Sequence, residues 1–394
     1  MLDDLDPLME KYGIDALLAT GSAFENPNIY WLTGFRSNDE IIYLKNKGDE
    51  PMVAAWLLAL ARVRKESFIT EFHDATDVVL SLLHENKVVE DNMDKVYASL
   101  LKSHFSGNTI GVPDEFPASK LLMLQKMGYN VKVVQDLIRE ARARKSPREV
   151  KTIKKAGDAT TGAVARVVEM VKNSKTGANE NLQYKGEPLT VGMIKLALEH
   201  FLIDEGAEAA EDAIIAVGTK AFDWHYLGVS SDKVKAGVPI IMDVFPRLKQ
   251  DRYIADVTRT VVKGAVSKRV EQMFDAVSAA AVASVDALTE GATMDTVNLA
   301  CANELKQHGF ESKRLNPSAK EGMTHGLGHG IGLEVHELPS MYHRENLFLE
   351  GHVMAIEPGV YLKAIGGVRI ENDYVVTKGK AKRLTTGIDD LLFV

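Results

Sequence analysis

The chain has a single cysteine, Cys301, among 394 residues. That excludes an intrachain disulfide, points to a reducing compartment, and leaves histidine and carboxylate as the material for any metal site. Long hydrophobic runs are also missing. The longest, residues 52–61, reads MVAAWLLALA, about half of what a bilayer span requires, and is expected to be a buried core segment. The opening MLDDLDPLMEKYG is acidic where a signal peptide would be basic. Basic charge is in deficit, with 47 Lys and Arg against 55 Asp and Glu and a net charge of −8. A nucleic-acid partner, which needs clustered cations to displace counterions, is therefore not expected. No internal repeat and no low-complexity tract is present. What remains is a globular protein, expected in the cytoplasm and without a membrane partner, long enough for two domains with separate cores.

The first 140 or so residues alternate short β-type runs (IDALLAT, EIIYL, PMVAAWLL, VKVVQD) with helical segments such as SKLLMLQKM, a pattern that predicts a small α/β domain. Near 138–150 the sequence turns to IREARARKSPREV, where Ser146, Pro147 and Glu149 stand at the N-cap, N1 and N3 positions of a helix, a capping box. The domain boundary is placed just before it, giving domains 1–143 and 144–394. A helix is expected to about Lys172, followed by a polar surface excursion and a helix containing Ile194 to Phe201. Further helices are expected over 269–289 and 293–308.

VPIIMDVF and RYIADVTRTVV read as neighbouring antiparallel strands joined by PRLKQD, and each carries one aspartate, Asp243 and Asp256. VMAIEPGVYL and GGVRIENDYVVT carry Glu357 and Glu371 in similar surroundings. A carboxylate among apolar strand residues is costly unless paired or metal-bound. Taken singly each has a plain structural explanation, since a glutamate in EPG can cap a turn and an HG pair is common in loops. Between these segments lies MTHGLGHGIGLEVHELP, with His325, His329 and His336 inside twelve residues. Four carboxylates and an imidazole are the wrong set for a structural zinc but suit a pair of divalent cations.

The succession MDVF, ADVTRT, HGLGHGIGLEVHE, AIEPGVY and GVRIEND resembles the pita-bread metallopeptidases, the family of Xaa-Pro dipeptidase (prolidase), aminopeptidase P and methionine aminopeptidase. NIYWLTGF and ARKSPREV are similar to the two-domain prolidase and aminopeptidase P branch; methionine aminopeptidases generally lack the N-terminal domain. The resemblance implies an α/β N-terminal domain followed by an α+β pita-bread catalytic domain. It further implies that Asp243, Asp256, His329, Glu357 and Glu371 hold two divalent metal ions per chain, Mn2+ or Co2+ with Zn2+ as the third candidate, and that Asp256 and Glu371 bridge them. His336 matches the catalytic histidine that stabilises the tetrahedral intermediate, and Glu357 the proton acceptor. His225 and His325 match positions that contact substrate, and Arg369 is expected to orient the carboxylates or His336.

Short proline-containing peptides and a homodimer are the implied partners. Two other readings share the scaffold, a creatinase-like hydrolase and a non-enzymatic binding protein, but both go with lost ligands and all five are present here. Two departures stand out. Asp243 and Asp256 are 13 residues apart, about two more than is usual in this hairpin, so PRLKQD is expected to protrude. Strict dipeptidases often place an arginine shortly after VHE to hold the substrate carboxylate; this chain has Ser340 there, and the sequence does not show whether Arg344 takes its place. On that ground Xaa-Pro-Xaa tripeptides are expected to be cleaved at least as well as Xaa-Pro dipeptides.

Overall fold

The computed structural model describes residues 5–394. The chain forms two compact units, Met1–Arg142 and Ala143–Val394. The first is built on a six-stranded mixed sheet, in spatial order Glu71–Asp74, Met52–Ala55, Glu40–Asn46, Ala16–Ser22, Thr109–Val112 and Asn130–Val133. Two of these strands, Glu71–Asp74 and Thr109–Val112, have no counterpart in the hydrophobic pattern: EFHD is a polar edge, and TIGV is short and broken by glycine. Leu18, Ile42, Leu44, Ile110 and Val112 are buried on the sheet against Val96, Leu100 and Leu124 of the helices. Each such side chain contributes roughly 1.5–3 kcal/mol by leaving water.

The helix Pro27–Thr33 shows how local chemistry sets an element. Asn26 caps it by accepting from the Asn28 and Ile29 N–H groups, Pro27 starts it, and Gly34 at φ 64° ends it. The run MVAAWLLALA is not one buried segment, contrary to expectation. Met52–Ala55 is a largely buried strand, whereas Leu57–Glu66 is a helix whose residue Leu58 is 83% exposed. Length of apolar run alone could not locate the change of direction at Trp56.

In the second unit a pair of helices followed by strands occurs twice, the first pair being separated by a small three-stranded sheet over 175–188. The helix Pro147–Lys172 has its capping box formed, Ser146 Oγ accepting from the Glu149 N–H and Glu149 Oε2 from the Ser146 N–H. It packs with Val191–Asp204 against a sheet ordered Ile214–Val217, Ile240–Val244, Val257–Val262 and Leu392–Phe393. The helices Lys268–Ala287 and Met294–Gln307 pack with a second sheet, ordered Glu337–Ser340, Gly328–Gly330, Val353–Ile356, Asn372–Val375 and Lys382–Arg383. Cys301 is buried in this second core.

Residues 246–251 do not protrude freely. Pro246–Leu248 pairs antiparallel with Ala207–Ala209, Pro246 and Leu248 are buried, and the chain turns at Arg252 with φ 63°. The extra hairpin length is taken up by this added pairing, which a polar loop sequence does not advertise.

Candidate metal centre

Strand register delivers the acidic residues to one place. Asp243 lies opposite Thr258 in the first sheet, two residues beyond Asp256, while His329 lies opposite Ala355 and Ile356 opposite Asn372 in the second. The sheets are linked by Glu371 N–H donating to Thr258 O at 3.1 Å, and by Asp256 N–H donating to Asp373 Oδ2 at 2.9 Å. Three of the acids differ from the mid-strand placement the sequence predicts. Asp256 immediately precedes a strand, Glu357 follows one, and Glu371 sits in the break between Gly366–Arg369 and Asn372–Val375. Strand ends free the side chain from the alternation that would otherwise bury it in hydrocarbon. The histidine, expected off the strands, is on one, in the three-residue strand Gly328–Gly330. Glycine is required beside it: a Cβ at Gly328 would stand 2.0 Å from Ala355 O, and one at Gly330 2.5 Å from Glu337 O.

Asp256, His329 and Glu371 each offer a ligand atom within 4.8 Å of the others. His329 Nε2 lies 3.8 Å from Asp256 Oδ2, 3.8 Å from Glu371 Oε1 and 4.0 Å from Glu357 Oε1. These distances are too long for hydrogen bonds. The opposite ring nitrogen, Nδ1, is 3.1 Å from Gly330 O, so it carries the proton and Nε2 presents its lone pair to the carboxylates. Burial, and then His336, hold the His329 pKa down to about 4. Asp243 completes the set through Arg369, whose Nη2 donates to Oδ2 at 2.6 Å.

The electrostatics of this cluster fit bound cations. Burial, with Glu371 and Asp243 beside it, pushes Asp256 well above the carboxylate range; burial, with Glu357 and Asp243, does the same to Glu371. Glu357 is pushed up to about 8 by burial, Arg369 opposing and Asp243 adding. Asp243 Oδ1 and Asp256 Oδ1 are buried acceptors without a hydrogen-bond partner. A like-charged group of acids with unsatisfied oxygens is unfavourable alone and suited to a divalent ion, whose hard oxygen ligands it supplies.

The remaining expected residues line a cavity of about 590 Å3 above the cluster, the size of a small-ligand site. His336 is exposed to it, with its ring centroid 4.3 Å from that of His329. His225 is an exposed lining residue beside Trp224. His325 is pinned rather than free: its Nδ1 is 2.6 Å from Gly326 O and its Nε2 accepts from the Tyr361 hydroxyl at 3.0 Å. Burial first, then Arg369, hold it neutral with a pKa near 3. Arg369 turns to the carboxylates: besides Asp243 it donates from Nη1 to Tyr361 Oη at 2.7 Å and from Nε to Thr258 Oγ1 at 3.2 Å.

Sequence reasoning missed several residues here. Tyr361, fully buried, connects Arg369 to His325. Thr258 donates its hydroxyl to Glu371 Oε2 at 2.6 Å. Asp373 holds the Asp256 backbone. Lys145 and Glu337 form a buried ion pair at 2.7 Å that ties the RKS segment to the residue after His336. Tyr361, Thr258, Asp373 and Glu337 stand within four positions of a candidate residue in sequence, the only signal that could have found them.

The chain matches the model of metallopeptidase family M24 over residues 151–378 and that of the creatinase/prolidase N-terminal domain over residues 1–144. It is 30% identical to the Xaa-Pro dipeptidase of Pyrococcus horikoshii over 392 residues, 96% of this chain and 94% of that one. Among solved structures, a prolidase from Pyrococcus horikoshii superposes with TM-score 0.77 at 26% identity, covering 99% of both chains. An Xaa-Pro dipeptidase from Bacillus anthracis shares the fold, with TM-score 0.82 at 20% identity over 100% of this chain and 99% of that one. With its pita-bread catalytic unit preceded by a creatinase/prolidase-type unit, the chain belongs to metallopeptidase family M24.

Proposed function

We propose that the protein is a dinuclear metal-dependent exopeptidase that hydrolyses the Xaa-Pro bond at the amino end of short peptides. One observation carries the reading: the lone pair of His329 Nε2 faces Asp256, Glu357 and Glu371 at 3.8–4.0 Å on the wall of a peptide-sized cavity. The relatives named as Xaa-Pro dipeptidases supply the bond. Proline as the residue after that bond makes a tertiary amide with no N–H and a fixed φ, which a general peptidase fits poorly.

Asp243, Asp256, His329, Glu357 and Glu371 are proposed to hold two divalent cations, Mn2+ or Co2+ before Zn2+ because the set is rich in carboxylate. Cations bound there supply Lewis acidity at the scissile carbonyl and a water of lowered pKa. Glu357 takes the proton of the attacking water and delivers it to the leaving nitrogen. His336, exposed in the cavity, donates to the developing oxyanion. Arg369 fixes Asp243 and, through Tyr361, the ring of His325. His225 and His325 then serve as substrate-facing walls. A cytoplasmic homodimer is part of the same proposal, supported by the lone buried cysteine and the two-domain organisation.

The test is a metal-loaded sample offered Met-Pro, Met-Pro-Ala and Met-Ala-Ala, with elemental analysis of the same sample. Cleavage before proline and two divalent ions per chain are expected. Preference for Met-Ala-Ala refutes the proline reading, and no cleavage of any of the three favours a creatinase-like or non-enzymatic role.

A further inference from the structure

The cavity of the metal centre is lined by six acids and, among the described residues, by one lysine and one arginine, Lys313 and Arg369. Arg369 is consumed. Its guanidinium donates to Asp243, Tyr361 and Thr258 and is buried. Lys313 is exposed and has no ion-pair partner among the described residues. Its backbone is nonetheless fixed. The Lys313 N–H donates to Met323 O at 2.9 Å, and the Met323 N–H donates to Glu311 O at 2.9 Å. That pairing sets Lys313 beside Thr324 and His325, which also line the cavity. The close approach needs glycine, because a Cβ at Gly322 would stand 2.0 Å from Glu311 O. The next side chain, Arg314, is turned away and anchored on Asp295 by a two-toothed ion pair at 2.6 and 2.8 Å. Lys313 and Arg314 lie in a turn closed by the Leu315 and Asn316 N–H groups donating to Ser312 O, and of the two side chains it is Lys313 that lines the cavity.

We propose that Lys313 is a specificity-determining residue that receives the free α-carboxylate of the substrate, which makes a dipeptide the preferred length. The inference rests on the proposed Xaa-Pro reading and deepens it. It also answers the absence of arginine at position 340. Ser340 lies on the strand Glu337–Ser340 and is not part of the cavity lining, whereas a cation reaches the cavity from a different segment. Four of the six acids are assigned to the proposed cations and Asp212 is paired with Lys195, so Lys313 is the cationic side chain left on the wall to receive a charged carboxyl end. The expectation that tripeptides are cleaved as well as dipeptides, drawn from Ser340 alone, is therefore replaced here by the opposite preference.

The experiment compares Met-Pro with Met-Pro-NH2, which lacks only the carboxylate charge, on metal-loaded wild type, Lys313→Met and Lys313→Arg. Lys313→Met should raise KM for Met-Pro about tenfold, the scale of one charge-assisted hydrogen bond, with kcat little changed and KM for Met-Pro-NH2 unmoved. Lys313→Arg should retain most of the wild-type preference. Equal changes for both ligands, or none, overturn the proposal. Calorimetric binding of the same two ligands reads Lys313 without turnover. If wild type cleaves neither peptide but binds Met-Pro more tightly than the amide in a Lys313-dependent way, the Xaa-Pro reading fails and the carboxylate site stands. If cleavage is seen without that discrimination, the reverse holds.

Discussion

The interiors of the two units handle buried polarity differently. In the N-terminal unit, Lys45 enters the interior with partners in place, donating to Asp6 Oδ1 at 2.7 Å and to the carbonyls of Asn46 and Asp49. The Thr20 hydroxyl likewise has acceptors in reach, Glu40 Oε1 at 2.7 Å and Ile41 O at 3.0 Å. Asn46 Oδ1 and the Tyr43 and Tyr97 hydroxyls lack hydrogen-bond partners there, and all three groups are neutral. In the catalytic unit Asp243, Asp256 and Asp373 each leave one buried carboxylate oxygen without a partner, and the acids around them carry the same sign. Lys45, a charge buried in the first interior, is satisfied by its own chain. The second is satisfied only when something positive is added, which marks it as a site rather than a core.

The largest effect that would break this contrast is at a candidate ligand. Glu371→Gln should lower metal affinity by more than about a hundredfold, beyond the ~10–100-fold cost of disturbing a group that merely holds a ligand; titration with Mn2+ followed by elemental analysis measures it. Retention of full metal content would show that the buried acids serve the fold. Next comes His336→Ala, expected to keep metal and fold while turnover falls on the order of a hundredfold, the scale of a lost oxyanion donor. Loss of metal in that variant would mean that His336, not His329, is the ligand.

Asp373 sharpens the comparison because its hydrogen bond to the cluster is made to the Asp256 backbone. Asp373→Ala should weaken metal binding by about tenfold, and Asp373→Asn, which keeps an acceptor for the Asp256 N–H, should restore most of it. No rescue would argue for a purely steric role. In the N-terminal unit Leu18→Ala should lower stability by about 2–5 kcal/mol, measured by denaturant unfolding, and leave metal content and turnover per folded molecule unchanged. A change in metal content would erase the distinction between the two interiors.

The smallest effect is on pH dependence. His352 is buried, accepts from the Leu349 N–H at 3.2 Å, and has its pKa held near 3 by burial and by the nearby Lys145 and Arg144. In the unfolded chain it takes up a proton near its ordinary value of 6.5, so the unfolded state binds more protons between about 6.5 and about 3. Stability contributed by the neutral ring is whole above pH 6.5 and is lost as pH falls through that window. His352→Leu should flatten the acid side of a stability curve there; an unchanged slope would show that other groups dominate it.

Much of the catalytic unit was legible in its sequence because chemistry and pattern coincide in short stretches. The capping box at Ser146 and the hairpin strands around Asp243 and Asp256 announce themselves through residue types at fixed spacing. The gathering of Asp243, Asp256, His329, Glu357 and Glu371 followed from resemblance to a family, since no periodicity brings residues from two sheets together. What stayed hidden depends on tertiary contact. Tyr361 and Thr258 look like ordinary strand residues until Arg369 and Glu371 are placed against them. Lys313 looks like any surface lysine until it is seen on the cavity wall beside Thr324 and His325. The edge strand Glu71–Asp74 has no hydrophobic alternation to betray it, and residues 246–251 read as a free loop because their partner, Ala207–Ala209, lies far back in the chain.

The split origin of the candidate ligands has a consequence for how the molecule comes apart. Asp243 and Asp256 belong to the first half of the catalytic unit, His329, Glu357 and Glu371 to the second. An ion held by both halves acts as a removable crosslink, absent from the unfolded chain, and adds RT ln(1 + [L]/Kd) to stability, about 2.7 kcal/mol at a hundredfold excess over Kd. Separation of the halves and release of the ion then become one event. A chelator should lower the melting temperature of the catalytic unit, and the rate at which ion leaks from intact protein should track the rate at which its two sheets part.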